Sequence, residues 1–247
     1  MKLEGISIIL LSYNERENLA IVVKNAIIEG NVIAKKHEII IVQYAGSTDG
    51  SINEAERLAK THKNVKVVLQ PKEDRGYGMA LRLGVEQSTM QWIFYTDSDG
   101  QFDFSELRKI VDLTKRFAFI TGHRKMRKDP FGRLLAATVY NLMMRIAFGI
   151  HVKDIDCAFK LIRSDMLKSF PMKSRTGMYV TEMLTWTRER GVQVADVPVT
   201  HLPRLSGEAT FQNKLALPKW SVVRDLLREM MDLRARVRAD RKTRNSK

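Results

Sequence analysis

Four apolar runs of strand length, each followed by a polar turn, constrain this chain more than any other feature. They are Ile6–Leu11, Glu38–Val42, Val65–Leu69 and Trp92–Thr96. Helical patterns separate them at Glu15–Ile28, from Gly50 to about His62, and at Gly78–Gln87. Strand and helix alternating in this way form right-handed βαβ units on a mainly parallel sheet flanked by helices. A fifth strand is expected at Phe117–Thr121. Before it, Asp103 reads as a helix cap, with Glu106 three residues on as in a capping box. The second half is less regular. It offers a basic loop at His123–Arg133, an apolar helix at Leu134–Phe148 and a short strand within Asp154–Arg163. A helix at Met178–Arg190 and a β-like run at Val192–Val199 follow. Lys219–Lys247 reads as a basic amphipathic helix running into a polar tail. The expected organisation is an α/β domain over residues 1–215 and a C-terminal helical extension over 216–247.

Parallel sheets bind ligands at the carboxyl ends of their strands. The polar clusters fall there: Ser12-Tyr13-Asn14-Glu15, Gly46–Asp49, Asp74-Arg75-Gly76 and Asp97–Gln101. The last is the most informative. Asp97 and Asp99 stand one residue apart at a strand end, followed by Gly100 and Gln101. Two carboxylates and an amide carbonyl suit a hard divalent cation, and such a cation neutralises a diphosphate. An Asp-Ser-Asp-Gly sequence is also ordinary turn chemistry, so the motif gains weight from its neighbours. Gly76-Tyr77-Gly78 lacks the third glycine of a dinucleotide fingerprint and follows the wrong strand. It reads as a tight turn opening a helix, with Ala80 and Gly84 permitting close packing on the sheet.

The 247 residues include 42 basic and 28 acidic side chains, a net charge of +14. That balance favours an anionic partner: phosphorylated substrate, anionic lipid or nucleic acid. The basic runs lack interleaved aromatics, zinc spacing and a recognition-helix pattern, which argues against nucleic acid. The single cysteine, Cys157, excludes an internal disulfide and reads as a packed residue. The N-terminus has no signal-peptide pattern, and no run approaches the roughly 18 apolar residues of a membrane span. A soluble or peripheral protein at the cytoplasmic membrane face is expected.

The segments SIILLSYNERENL (7–19), EIIIVQYAGSTDGS (38–51), GYGMALRLG (76–84), TDSDGQFDFSEL (96–107), 121–148 and DIDCAFKLI (154–162) together resemble glycosyltransferase family 2. These are the inverting GT-A enzymes, and the likeness is greatest to the dolichyl-phosphate and polyprenyl-phosphate glycosyltransferase branch. The resemblance covers about residues 6–210. It implies a Rossmann-like GT-A fold and transfer of a sugar from a nucleoside diphosphate to a polyprenyl phosphate. Ser12, Tyr13, Glu15, Tyr44, Asp49, Arg75, Gly76, Asp97 and Arg204 would bind the nucleotide sugar. Asp99 and Gln101, with Asp97, would hold Mg²⁺ or Mn²⁺. Arg124, Lys125 and Arg133 would grip the acceptor phosphate. Asp97, Asp99 and Asp156 would be the catalytic carboxylates, with Asp156 a general base if the acceptor were a sugar hydroxyl. The alternative for Asp156 is a structural carboxylate bonding a turn or pairing with Arg124.

Two positions depart from the family. The acids that usually precede Gly-Ser-Thr-Asp are here Tyr44 and Ala45, so the base must be recognised differently, and a non-catalytic scaffold is the rival this raises. Ala137 stands where the acceptor-side helix often has serine. The basic run after His123, beside an apolar helix, suits anionic headgroups and shallow insertion. On the C-terminal helix Val223, Leu226, Leu227, Met230 and Met231 share one side. Membrane contact, packing on the domain and pairing into a homo-oligomer are the alternatives for that face.

Overall fold

A computed structural model describes residues 1–125, 131–204, 206 and 220–246, with the backbone alone for 131–135 and 220–222. Among these residues seven strands form one sheet: β1 Leu3–Ser12, β2 Ala34–Tyr44, β3 Val65–Gln70, β4 Trp92–Asp97, β5 Phe119–Lys125, β6 Lys160–Arg163 and β7 Val194–Thr200. Their order is β3-β2-β1-β4-β6-β5-β7. The pairs β1–β2, β1–β4, β2–β3 and β5–β7 are parallel, while β6 runs antiparallel to both β4 and β5. Among the described residues eight α-helices flank the sheet: α1 Arg16–Ile33, α2 Ser51–Thr61, α3 Tyr77–Gln87, α4 Leu107–Ile110, α5 Phe131–Phe148, α6 Ser164–Ser169, α7 Met178–Glu189 and α8 Trp220–Asn245.

The apolar strand runs supply both faces of the sheet. Ile8, Leu10, Ile39, Ile41 and Phe94 pack on one side with α1, α2 and α4. Ile9, Leu11, Ile40, Val42, Ile93 and Tyr95 pack on the other with α3, α5, α6, α7 and α8. This period-two alternation explains the continuous apolar runs, because a sheet buried on both faces needs no polar face. Gly84 lets α3 approach closely: a Cβ there would lie 2.5 Å from Ile9 Cγ2.

Several boundaries differ from the sequence reading, for local reasons. Helix α1 continues past Ile28 through Gly30, whose missing side chain accommodates the His37 ring; a Cβ would meet it at 2.6 Å. The expected loop from His123 begins as strand, since His123, Arg124 and Lys125 pair with Pro198, Val199 and Thr200. Asp103 caps as expected, its Oδ1 accepting from Ser105 N at 2.8 Å, but it opens only a 3₁₀ turn. The capping box is not formed. Glu106 instead accepts from the backbone N–H and hydroxyl of Thr200 on β7, at 3.1 and 2.8 Å. The face of α8 also divides. Leu226, Met230, Leu233 and Val237 pack on the second core layer, whereas Leu227 and Met231 are exposed.

Candidate active site

A cavity of about 690 Å³ opens at the carboxyl ends of the parallel strands. Each of the first four strands contributes to it. The turn after β1 supplies Ser12, Tyr13 and Glu15, and the end of β2 supplies Tyr44. The turn after β3 supplies Arg75 and Gly76, and the turn after β4 supplies Asp97, Asp99 and Gln101. Arg124, Asp156 and Arg204 complete the set that the structure gathers from the sequence-based expectations.

Two expected residues, Asp49 and Lys125, fall elsewhere. Asp49 is not on the cavity wall. Its Oδ2 accepts from Arg16 N and its Oδ1 from Ser51 N, each at 2.9 Å, so it ties together the N-termini of α1 and α2. Lys125 is exposed at the end of β5 and does not line the cavity. The side chain of Arg133 lies outside the described residues, as does the basic run 126–130.

At one end of the cleft the Tyr13 and Tyr44 rings meet edge to face, 5.4 Å between centroids. The Arg75 guanidinium lies over both, at 5.6 and 5.8 Å. This cluster stands where the family's acids are missing. Ser12 Oγ, beside it, is buried without a hydrogen-bond partner. Across the mouth, Arg204 pairs with Glu15 and donates from Nε to Ser206 O at 3.1 Å. Asn18 binds both Glu15 and Ser206, which closes that cluster.

The floor is acidic. Burial, together with the neighbouring Asp99 carboxylate, pushes the Asp97 carboxyl up to about 7, while Tyr77 donates a hydrogen bond to it. Asp99 Oδ1 accepts from Gln101 N at 3.0 Å. Gln101 also donates from Nε2 to Leu202 O, and Leu202 N donates to Gln101 O, so the acidic turn and the Arg204 segment are stitched together. No group of three His, Cys, Asp or Glu side chains able to hold a metal occurs among the described residues. The donor set is two carboxylates and an amide oxygen, one of the carboxyls crowded and poorly ionised without a counter-charge. That set fits a divalent cation whose remaining ligands come from a bound diphosphate better than a resident metal.

The far wall is built around the turn before β6. Arg124 grips Asp154 through Nε and Nη2, at 2.7 and 2.9 Å. Pairing with Arg124 was one alternative for Asp156; the two-point grip of Arg124 is on Asp154, and Asp156 is exposed on the cleft wall. This grip uses two of the five guanidinium N–H groups. Ile155 N donates to Asn141 Oδ1 at 3.1 Å. Lys160, wholly buried on β6, donates to the carbonyls of Ile155 and Cys157, on either side of Asp156. Tyr77, Tyr140, Phe102 and His201 also line the cavity and were missed in the sequence. Tyr77 sat within the Gly76–Gly78 motif, which could have flagged it. His201 reaches the site through an isolated bridge to Phe102, for which no sequence signal exists.

The fold and cleft define the class: an α/β protein with a nucleotide-sized cleft at the strand ends, lined by acidic, basic and aromatic side chains. A family model for glycosyl transferase family 2 matches residues 7–170, and the chain belongs to that family. Among its relatives, the dolichyl-phosphate beta-glucosyltransferase of Saccharomyces cerevisiae is 25% identical, over 79% of this chain and 66% of the relative. The undecaprenyl-phosphate 4-deoxy-4-formamido-L-arabinose transferase of Proteus mirabilis is 21% identical, over 85% of this chain and 64% of the relative. The chain thus spans about two thirds of the length of these relatives. Glucosyl-3-phosphoglycerate synthase from Mycobacterium tuberculosis, solved with UDP, shares the fold. Its TM-score is 0.62 at 17% identity, covering 84% of this chain and 74% of that one. The same enzyme has been solved with Mn²⁺, UDP-glucose and glycerol 3-phosphate.

Proposed function

We propose that this chain is an inverting glycosyltransferase that moves a sugar from a nucleoside diphosphate sugar to a polyprenyl phosphate, with Mg²⁺ or Mn²⁺, at the cytoplasmic face of a membrane. The observation that carries this reading is the order of chemistries along one cleft. An aromatic and arginine cluster suits a base. The acidic floor with Arg204 suits a diphosphate. Arg124 lies on the far wall, and beyond it helix α5 exposes Val139, Leu142, Met143 and Ile146 at helical spacing. A lipid phosphate needs this combination of cation and apolar surface at the acceptor end. The two relatives named for dolichyl phosphate and undecaprenyl phosphate support the same acceptor class. No helix among the described residues is long and apolar enough to cross a membrane, so the proposed contact is at the surface.

In this mechanism an acceptor phosphate oxygen attacks the anomeric carbon as the bond to the diphosphate breaks, which inverts the centre in one step. The second pKa of a phosphate monoester is about 6, so the acceptor is largely dianionic at neutral pH and needs no base. The residues therefore position and screen charge. Arg204 exchanges Glu15 for the diphosphate, and Arg124, fixed by Asp154, presents its remaining N–H groups to the acceptor. A divalent cation bound by Asp99 and Gln101, with Asp97, would supply charge neutralisation at the leaving diphosphate. Tyr77 holds Asp97 in place through its hydroxyl.

Asp156 motivates a second reading, transfer to a hydroxyl with this carboxylate as base. It is exposed to the cleft on a turn braced from both sides. Asp156→Asn separates the two: loss of about 10²–10⁴ in turnover fits a general base, and a change of less than about tenfold fits a phosphate acceptor. The primary test is transfer of labelled sugar from UDP- and GDP-sugars into polyprenyl phosphate, with Mg²⁺ or Mn²⁺ and with chelator. Chelator-sensitive lipid-linked product is expected. Nucleotide binding without lipid-linked product would overturn the acceptor, and no nucleotide binding would favour the scaffold.

A further inference from the structure

The mechanism does not use Glu182, a carboxylate with 0% exposure in the middle of α7. It accepts from Lys173 N and Ser174 N at 3.0 and 2.7 Å, and from Trp186 Nε1 at 3.3 Å. Arg236 of α8 pairs with the same carboxylate, and its Nη1 also donates to Pro171 O at 3.2 Å. Thr176 donates to Glu229 of α8 at 2.8 Å. Residues 171–176 thus form a strap whose conformation is fixed from beneath by α7 and α8.

The other side of the strap bears on the cleft. Met79 N donates to Arg175 O at 3.2 Å. A Cβ on Gly76 would lie 2.6 Å from Arg175 O, and one on Gly78 would lie 2.5 Å from Thr176 O. Arg175 pairs with Asp74, and Arg82 of α3 donates to Met172 O at 3.1 Å. The rim held this way carries Arg75, Gly76 and Tyr77, three residues of the cleft wall. Its other anchor is Gln70, which donates to Asp74 O and Gly76 O at 2.7 and 2.9 Å. Displacing the strap moves the rim, because backbone touches backbone at Gly76 and Gly78 and no side chain intervenes to absorb the shift.

We propose that α8 is a positioning element for the donor side of the cleft, acting through Arg236, Glu182 and the strap 171–176 on Arg75–Tyr77. The assignment to the donor side rests on the reading of the cleft as a nucleotide-sugar site. Arg236 and Glu182 touch no substrate; they set where Arg75 and Tyr77 stand.

The test uses the full chain. The double variant Glu182→Gln with Arg236→Met removes the buried pair without stranding a charge. UDP and GDP binding with Mn²⁺ is measured by calorimetry, and backbone hydrogen exchange is followed at residues 76–80 and in β4. Nucleotide affinity should fall about fivefold to tenfold, and the donor KM should rise in parallel. The acceptor KM, and kcat at saturating donor, should stay within about twofold of wild type. Exchange should quicken at 76–80 and not in β4, and Arg236→Lys should recover most of the affinity. Glu229→Ala, which breaks only the Thr176 contact, gives a smaller change in the same direction and serves if the double variant does not fold. Unchanged affinity and unchanged exchange at 76–80 in a folded variant would overturn the proposal. A wild-type chain that binds neither nucleotide would overturn the cleft reading instead. Exchange at 76–80 would then still decide whether the strap couples α8 to the rim.

Discussion

Asp97 links the chemistry of the cleft to the stability of the chain. Its carboxyl is pushed up from 3.8 to about 7 by burial and by Asp99. Between those values the folded protein holds a proton that the unfolded chain has released, so stability falls as pH rises through that window. Without divalent cation, Asp97→Asn should melt several degrees above wild type at pH 8, and the gap should close near pH 4. Mn²⁺ added together with UDP should raise the melting temperature of wild type more than that of the variant. Equal melting at pH 8 would show that Asp97 is not crowded as described. The same substitution should lower transfer by about 10²–10³. Lys160 acts on the opposite wall. Lys160→Met leaves the carbonyls of Ile155 and Cys157 without their donor, each a loss of about 1–3 kcal/mol for a buried group. Urea unfolding should register that loss, and exchange at Cys157 N, which bonds Asp154 O, should quicken. Asp97, Asp99 and Tyr13 were legible because they sit in strand-end motifs, and Arg204 came from the family resemblance alone. Lys160 and Glu182 were not, since a buried charge is recognised by its partners, and those come from other elements.

Helix α5 presents two faces with different jobs. Ala136, Ala137 and Tyr140 line the cleft, while Val139, Leu142, Met143 and Ile146 face outward. If the outer face meets lipid, Leu142→Ser with Ile146→Ser should leave unfolding free energy within about 0.5 kcal/mol, as for surface sites generally. The KM for a long-chain polyprenyl phosphate should rise several-fold, while that for a water-soluble short-chain analogue should hold. Equal effects on both acceptors would place the stripe's role elsewhere. The strand and helix order of the first half was readable because strands buried on both faces give unbroken apolar runs. The failures have a common cause in tertiary contacts. The expected helix stops at Ile28, whereas α1 runs on through Gly30, whose missing side chain leaves room for the His37 ring. His123–Lys125 looked like a loop because their pairing partners lie some 75 residues on, at Pro198–Thr200. Glu106 fitted a capping box by spacing, yet Thr200 takes its carboxylate.

At the scale of the whole molecule, helix α8 is held to the domain by charge as well as by packing. Leu233 and Val237 of α8 are buried against the second core layer, and three ion pairs tie the helix to α7 and its C-terminal end: Arg236 of α8 with Glu182, Arg241 of α8 with Glu189, and Asp240 of α8 with Arg190. The hydrogen bond from Arg241 holds the Glu189 carboxyl below its ordinary value, and that from Arg190 does the same for Asp240. Groups with depressed pKa values stabilise the fold above the unfolded values, about 4 to 4.5, and lose that contribution as pH falls through the folded values. The sheet between β1 and β4 is held by apolar burial and backbone pairing, which acid does not remove. Acid should therefore loosen α8 before the sheet. Brief pepsin digestion at pH 3 should cut first within residues 225–245 and leave a core fragment containing β1–β7. High salt at neutral pH should loosen the helix only slightly, because Glu182 and Glu189 are shielded from solvent while their arginine partners are partly exposed. If the strap couples α8 to the donor rim, amide protection at residues 76–80 should be lost at the pH where α8 becomes cleavable, above the pH at which the sheet's circular dichroism is lost. Protection at 76–80 that persists until the sheet itself unfolds would separate the helix from the cleft and leave α8 as packing alone.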